Sequence, residues 1–162
     1  GRYLRAVMAD VVVEHPNRQR PASQLARLMV IALLIASAAL VLIVTLGGWD
    51  ALEGAQAVQI GYIAIYAVFA IFVARWSRGV LPMIAALAVI LGIFAAVAAL
   101  AWLDRDKDGF TDPAIGSGVL GLLCALIAVL QVALTIAAMI GFRQRWNVEV
   151  ERREPEPGPA AA

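Results

Sequence analysis

The sequence predicts an all-α membrane protein: four transmembrane helices in an up-down-up-down bundle, with both termini on the cytoplasmic side. Three observations predict it. First, the apolar runs 28–46, 57–74, 80–103 and 115–142 contain no charged residue. Each is near or above the roughly 20 apolar residues that a helix needs to cross a hydrocarbon core about 30 Å thick. Second, the basic residues segregate. Arg2, Arg5, Arg18, Arg20 and Arg27 precede the first run, Arg75 and Arg78 lie between the second and third, and Arg143, Arg145, Arg152 and Arg153 follow the fourth. That places all but Arg105 and Lys107 on one side, which the positive-inside rule makes cytoplasmic. Third, Trp49, Trp76, Trp102 and Trp146 fall at run ends, where an indole can keep its N–H wet and its ring apolar.

Composition agrees. Hydrophobic residues make up 62% of the chain and charged residues 15%, against about 25% charged in soluble proteins. A single cysteine, Cys124, excludes an intrachain disulfide.

The organisation follows the runs. Residues 1–26 form a polar, basic N-terminal segment. Within it, 3–13 is expected either as a short amphipathic surface helix or as unstructured chain. The first run is too long for a signal-peptide hydrophobic region. Residues 27–146 hold the four-helix transmembrane domain. Outward loops are expected at 47–56 and 104–114, where Asp50, Glu53, Asp104, Asp106, Asp108 and Asp112 gather. Residues 147–162, with Pro155, Pro157 and Pro159 among charges, are expected to form a disordered cytoplasmic tail.

Inside the spans, polar residues fall in stripes. At 100° per residue, Gln59, Tyr62 and Tyr66 lie within about 60° on the second span. On the fourth, Ser117, Cys124, Gln131 and Thr135 lie within about 40°. Tyr66 and Gln131 come out near mid-bilayer. Unpaired polar groups are costly at that depth, so both stripes are expected to face inward, as inter-helix hydrogen bonds or as a narrow polar path. Small residues recur every fourth position at Ser117, Gly121 and Ala125, at Ala133, Ala137 and Gly141, and at Ala88, Gly92 and Ala96. Such spacing serves close packing within one chain or a homo-oligomer seam.

One motif carries metal chemistry. Asp104, Asp106, Asp108 and Gly109 read D-x-D-x-D-G, which resembles the opening of an EF-hand-type calcium loop over nine residues. Ca²⁺ takes six to eight oxygens, so alternate carboxylates must turn about one point. Asp104, Asp106 and Asp108 would supply the first three ligands, Phe110 its carbonyl, and Asp112 a further oxygen. The bidentate Glu expected at position 12 is Ile115, so Asp50 or Glu53 would have to complete the shell. The other reading is a solvated connector in which Asp112 and Pro113 start the fourth span.

Absences narrow the function. No Asp, Glu, Lys, Arg or His lies in any run, and such residues mark proton-coupled transporters and charged pores. Small multidrug transporters also have four spans, but their membrane Glu has no counterpart here. His15 is the only histidine, so a bis-His haem is excluded. No P-loop or dinucleotide fingerprint occurs. The expectation is a non-enzymatic structural or accessory component of a bacterial plasma membrane. The bacterial assignment rests on a basic set that is nearly all Arg. The alternative is an oligomeric channel or transporter for a neutral or lipophilic solute. Expected partners are the lipid bilayer and a homo-oligomer or larger membrane complex, without nucleic acid. Ca²⁺ is the one cofactor expected.

Overall fold

A computed structural model describes residues 11–111 and 113–153. Four helices dominate it: α1 (Pro21–Gly47), α2 (Gln56–Ala74), α3 (Leu81–Asp104) and α4 (Ser117–Arg143). All four are long and apolar enough to cross a membrane. The 19 residues of α2 rise about 28 Å, and the 27 of α1 about 40 Å. Proline opens α1 and α3, at Pro21 and Pro82, where a missing N–H costs no intrahelical bond. α1 therefore starts about two turns before the uncharged run, and Arg27 lies within it.

α2 ends in a Schellman turn. Ser77 N–H donates to the Phe72 carbonyl and Trp76 N–H to that of Val73, with Trp76 at φ 63°. Glycine usually fills this left-handed position, because a side chain there is strained.

The core is built from helix stripes. On α1 it runs Ser23, Ala26, Val30, Leu34, Ser37, Val41 and Val44, the three-and-four spacing of one buried face. α4 is the central element, packing against both α1 and α3, while α2 packs on α1 and barely touches α3. α2 accordingly buries only Tyr66, Phe69, Ala70 and Val73, all in its second half. Only 22% to 33% of the most apolar stretch of each span is buried inside the chain. The outward surface carries side chains such as Ile93, Leu100, Leu122 and Val129, each at least 60% exposed. A soluble monomer rarely shows apolar area on this scale; a lipid-facing bundle must. The chain carries the features of a multi-pass transmembrane helix bundle.

The flanks differ from expectation. Val11–Glu14 (β1) and Val150–Arg153 (β2) pair antiparallel, with Val12 opposite Arg152 and Val13 opposite Glu151. Residues 11–13 are therefore strand, not helix, and the tail is ordered through Arg153. The physical reason is mutual pairing: neither segment has a core of its own, but each satisfies the other's backbone. Residues 3–10 and 154–162 lie outside the described residues. The ladder joins the two flanks at one end of the bundle, the strand end. At the other, the loop end, Ile115 N–H donates to the Gly47 carbonyl.

Two tryptophans also differ from the interfacial expectation. Trp146 is fully buried, and Trp102 is 7% exposed, lying so close to Gly48 that a Cβ there would come within 2.9 Å of its ring. Trp49, at 44% exposure, fits the expectation.

Candidate functional site

The interior polar site is centred on Gln131, 1% exposed on α4. Its Oε1 accepts from the Tyr66 hydroxyl of α2 at 2.7 Å. Its Nε2 donates to Ser37 Oγ of α1 at 2.9 Å and to the Ile127 carbonyl at 3.2 Å. Thr135 Oγ1 caps the Gln131 backbone carbonyl at 2.8 Å. One amide thus ties three helices together. The periodicity that places Tyr66 and Gln131 on inward stripes also brings them into contact. Both are among the largest fully buried side chains.

The remaining stripe residues do not join this centre. Gln59 Oε1 and Thr45 Oγ1 of α1 lie 2.6 Å apart, and Thr45 Oγ1 is also 2.6 Å from the Val41 carbonyl. One hydroxyl hydrogen can serve only one of these acceptors at a time. The Tyr62 hydroxyl reaches across to the Leu87 carbonyl of α3 at 3.3 Å and stacks edge-on to Tyr66. Ser117 and Cys124 are buried nearer the loop end of α4. Ser37 and Thr45 are the partners that sequence reasoning missed. Their signal was present: they stand eight residues apart on the buried stripe of α1, as isolated polar residues in an apolar run.

Where α2 leaves α3, a crevice of about 310 Å³ opens toward the loop end. Gln59, Tyr62 and Cys124 are its polar-bearing residues, against walls such as Val44, Leu91 and Ile127. The small residues are spent largely within the chain. A Cβ on Gly121 would meet Leu103 Cγ at 2.7 Å and the Ala99 carbonyl at 3.1 Å, and one on Gly92 would meet Gln131 Cβ at 3.3 Å. Ala96 and Ala125 face outward instead.

The acidic loop is arranged otherwise than a closed calcium shell. Asp104 Oδ1 lies 3.4 Å from Lys107 Nζ. The Asp106 carboxylate lies beside Gly118 at the start of α4, close enough that a Cβ there would approach Oδ2 to 2.6 Å. Arg105 and Lys107 flank the Phe110 ring at 5.2 and 5.7 Å. Gly109 takes the sharp turn at φ 99°. Among the described residues no three His, Cys, Asp or Glu side chains gather as a metal site, Asp50 and Glu53 included. Asp112 lies outside the described residues.

The strand end holds an arginine–tryptophan collar. Trp76 and Trp146 meet edge-to-face at 5.2 Å. The Arg18 and Arg27 guanidinium carbons lie 6.0 and 4.8 Å from the centre of the Trp76 ring. Arg27 donates to the last carbonyl of α2, at Ala74, and Arg18 Nε to the Trp146 carbonyl at 2.9 Å. Arg78 Nε donates to Phe142 O at 2.8 Å, with its guanidinium over the Phe142 ring. Cations at the C-termini of α2 and α4 satisfy orphan carbonyls and oppose the negative ends of the helix dipoles.

No family model matches the chain, nor does any curated protein or solved structure.

Proposed function

We propose that this chain is a small non-enzymatic integral membrane protein, a structural or accessory component of a bacterial plasma membrane. It inserts up-down-up-down with both termini cytoplasmic. The observation that carries the reading is that both polar atoms of the Gln131 amide are engaged within the chain. Its amide oxygen accepts one bond, and both amide hydrogens are donated within the chain. A solute path needs polar groups free to exchange partners, and the mid-span centre has committed its own. The stripes therefore act as inter-helix fastening, which in membranes averages about 0.6 kcal/mol per bond. The orientation is supported by the eleven Arg residues whose sequence positions lie on one side of the spans.

The second reading, transport of a lipophilic solute, draws on the crevice between α2 and α3. Liposome flux separates the two. Protein-containing vesicles should leak neutral and lipophilic test solutes no faster than empty ones, and Gln131→Leu should leave that baseline unchanged. Flux abolished by Gln131→Leu would favour transport. An accessory role further predicts a stoichiometric partner that co-purifies in mild detergent and is identified by mass spectrometry.

A further inference from the structure

We propose that Arg18 and Arg27, converging on the ring of Trp76, hold the phosphate of an anionic lipid headgroup at the strand end of the bundle. The inference rests on the membrane reading above and adds a defined site to it.

Two guanidinium groups lie within 6.0 Å of one indole centre. Neither has a carboxylate partner: the ion pairs among the described residues are His15–Glu149, Lys107–Asp104 and Arg152–Glu14. Each arginine spends one donor on a carbonyl, at Trp146 or Ala74. Five N–H groups are available per guanidinium, so most remain unused. Arg27 Nε is buried with no hydrogen-bond partner among the described residues. One turn earlier on the same helix, the Ser23 hydroxyl is likewise buried and unpartnered. Two like-charged, under-used guanidinium groups beside one ring call for an anion with several acceptor oxygens. Phosphate matches the planar guanidinium fork.

The surroundings select a lipid as the bearer. Leu25, Leu28 and Met29 beside Arg27 are 60%, 59% and 47% exposed, so the site borders an acyl-chain environment. A free ion would have to leave water to reach it, whereas a headgroup is already there. Basic pockets between spans on the cytoplasmic side are suited to anionic headgroups. Trp76 completes the arrangement. Its left-handed backbone sets the indole against Trp146 and gives both arginines a cation–π surface. This is what the strained position gains over glycine.

The test uses the full chain, delipidated in neutral detergent. Native mass spectrometry and thermal melting are followed on adding phosphatidylglycerol, phosphatidylcholine or inorganic phosphate. Phosphatidylglycerol should be retained as one tightly held molecule and should raise Tm; phosphatidylcholine and inorganic phosphate should not. Arg18→Gln should weaken retention about tenfold, the equivalent of one charge-assisted hydrogen bond. Arg27→Gln should do the same. Because it also removes a cap on α2, Arg27→Lys is the folded control: it keeps the charge, loses the fork, and should still weaken retention. Arg20→Gln and Arg143→Gln, exposed and off the site, should retain lipid normally.

Equal loss in all variants would reduce the effect to diffuse surface charge and overturn the proposal. So would equal binding of phosphatidylcholine. A response to inorganic phosphate alone would make the occupant a soluble anion. Absence of any lipid response, in protein that still reconstitutes into neutral nanodiscs, would sink the site and leave the membrane reading intact.

Discussion

Gln131 is the residue whose replacement says most about the interior. Leucine there removes the bonds to Tyr66 and Ser37. It should lower stability by about 1–2 kcal/mol, two bonds at membrane values, read as a reduced Tm in detergent. Arginine should prevent stable folding, since a charge at a span centre costs about 2.5–3.5 kcal/mol even on the mildest scale. If arginine is tolerated as well as leucine, that face meets water and the packing account fails. Gly121→Ala tests close approach instead. Its methyl would press on Leu103 and the Ala99 carbonyl, so a loss of about 1–3 kcal/mol is expected from overpacking. An unchanged Tm would show that α3 and α4 can part at little cost. At this scale the sequence was partly legible. Tyr66 and Gln131 could be paired because both lie on periodic stripes at matching depth. Ser37 was visible only as an isolated hydroxyl on the α1 stripe, and nothing in its spacing named Gln131 as its partner.

At the level of elements, the apolar runs located all four helices, since charge exclusion is imposed along the whole length of a span. Helix ends were less legible. Pro21 lets α1 begin among polar residues, and nothing in hydropathy marks that turn. The β1–β2 ladder was not legible at all. Val-Val-Val-Glu lacks alternation, and its partner lies at the far end of the described chain. A two-stranded ladder is marginal alone. Truncation after Asn147 should therefore leave the Tm of the spans within a few degrees, while a protease should then cut near residues 11–14 sooner than in the full chain. A collapse of the spans on truncation would give the ladder a larger part than this account allows. The 104–116 connector yields an opposite expectation to its motif. With Asp104 beside Lys107 and Asp106 beside the start of α4, Ca²⁺ and Mg²⁺ should shift Tm alike. A Ca²⁺-specific rise, lost in Asp106→Asn plus Asp108→Asn, would support the calcium reading.

Across the whole molecule, the two ends are built differently. The strand end is closed by arginine caps, a tryptophan pair and the flank ladder. The loop end is looser, because α2 leans away from α3 and opens the crevice. Charge segregation makes the first end the one expected on the cytoplasmic side. The collar itself was not legible, because Trp76, Trp146, Arg18 and Arg27 are brought together by tertiary packing rather than by spacing. The central claim is that four spans place the ladder inside and the acidic connectors outside. Single cysteines reacting with a membrane-impermeant thiol reagent in intact cells test it most directly. Native Cys124 is 3% exposed and gives little background. Cysteine at Glu53 or Ala114 should label in intact cells, whereas cysteine at Gln19 or Asn147 should label only after the membrane is opened. Labelling of Gln19 and Asn147 in intact cells, with Glu53 and Ala114 silent, would contradict the account.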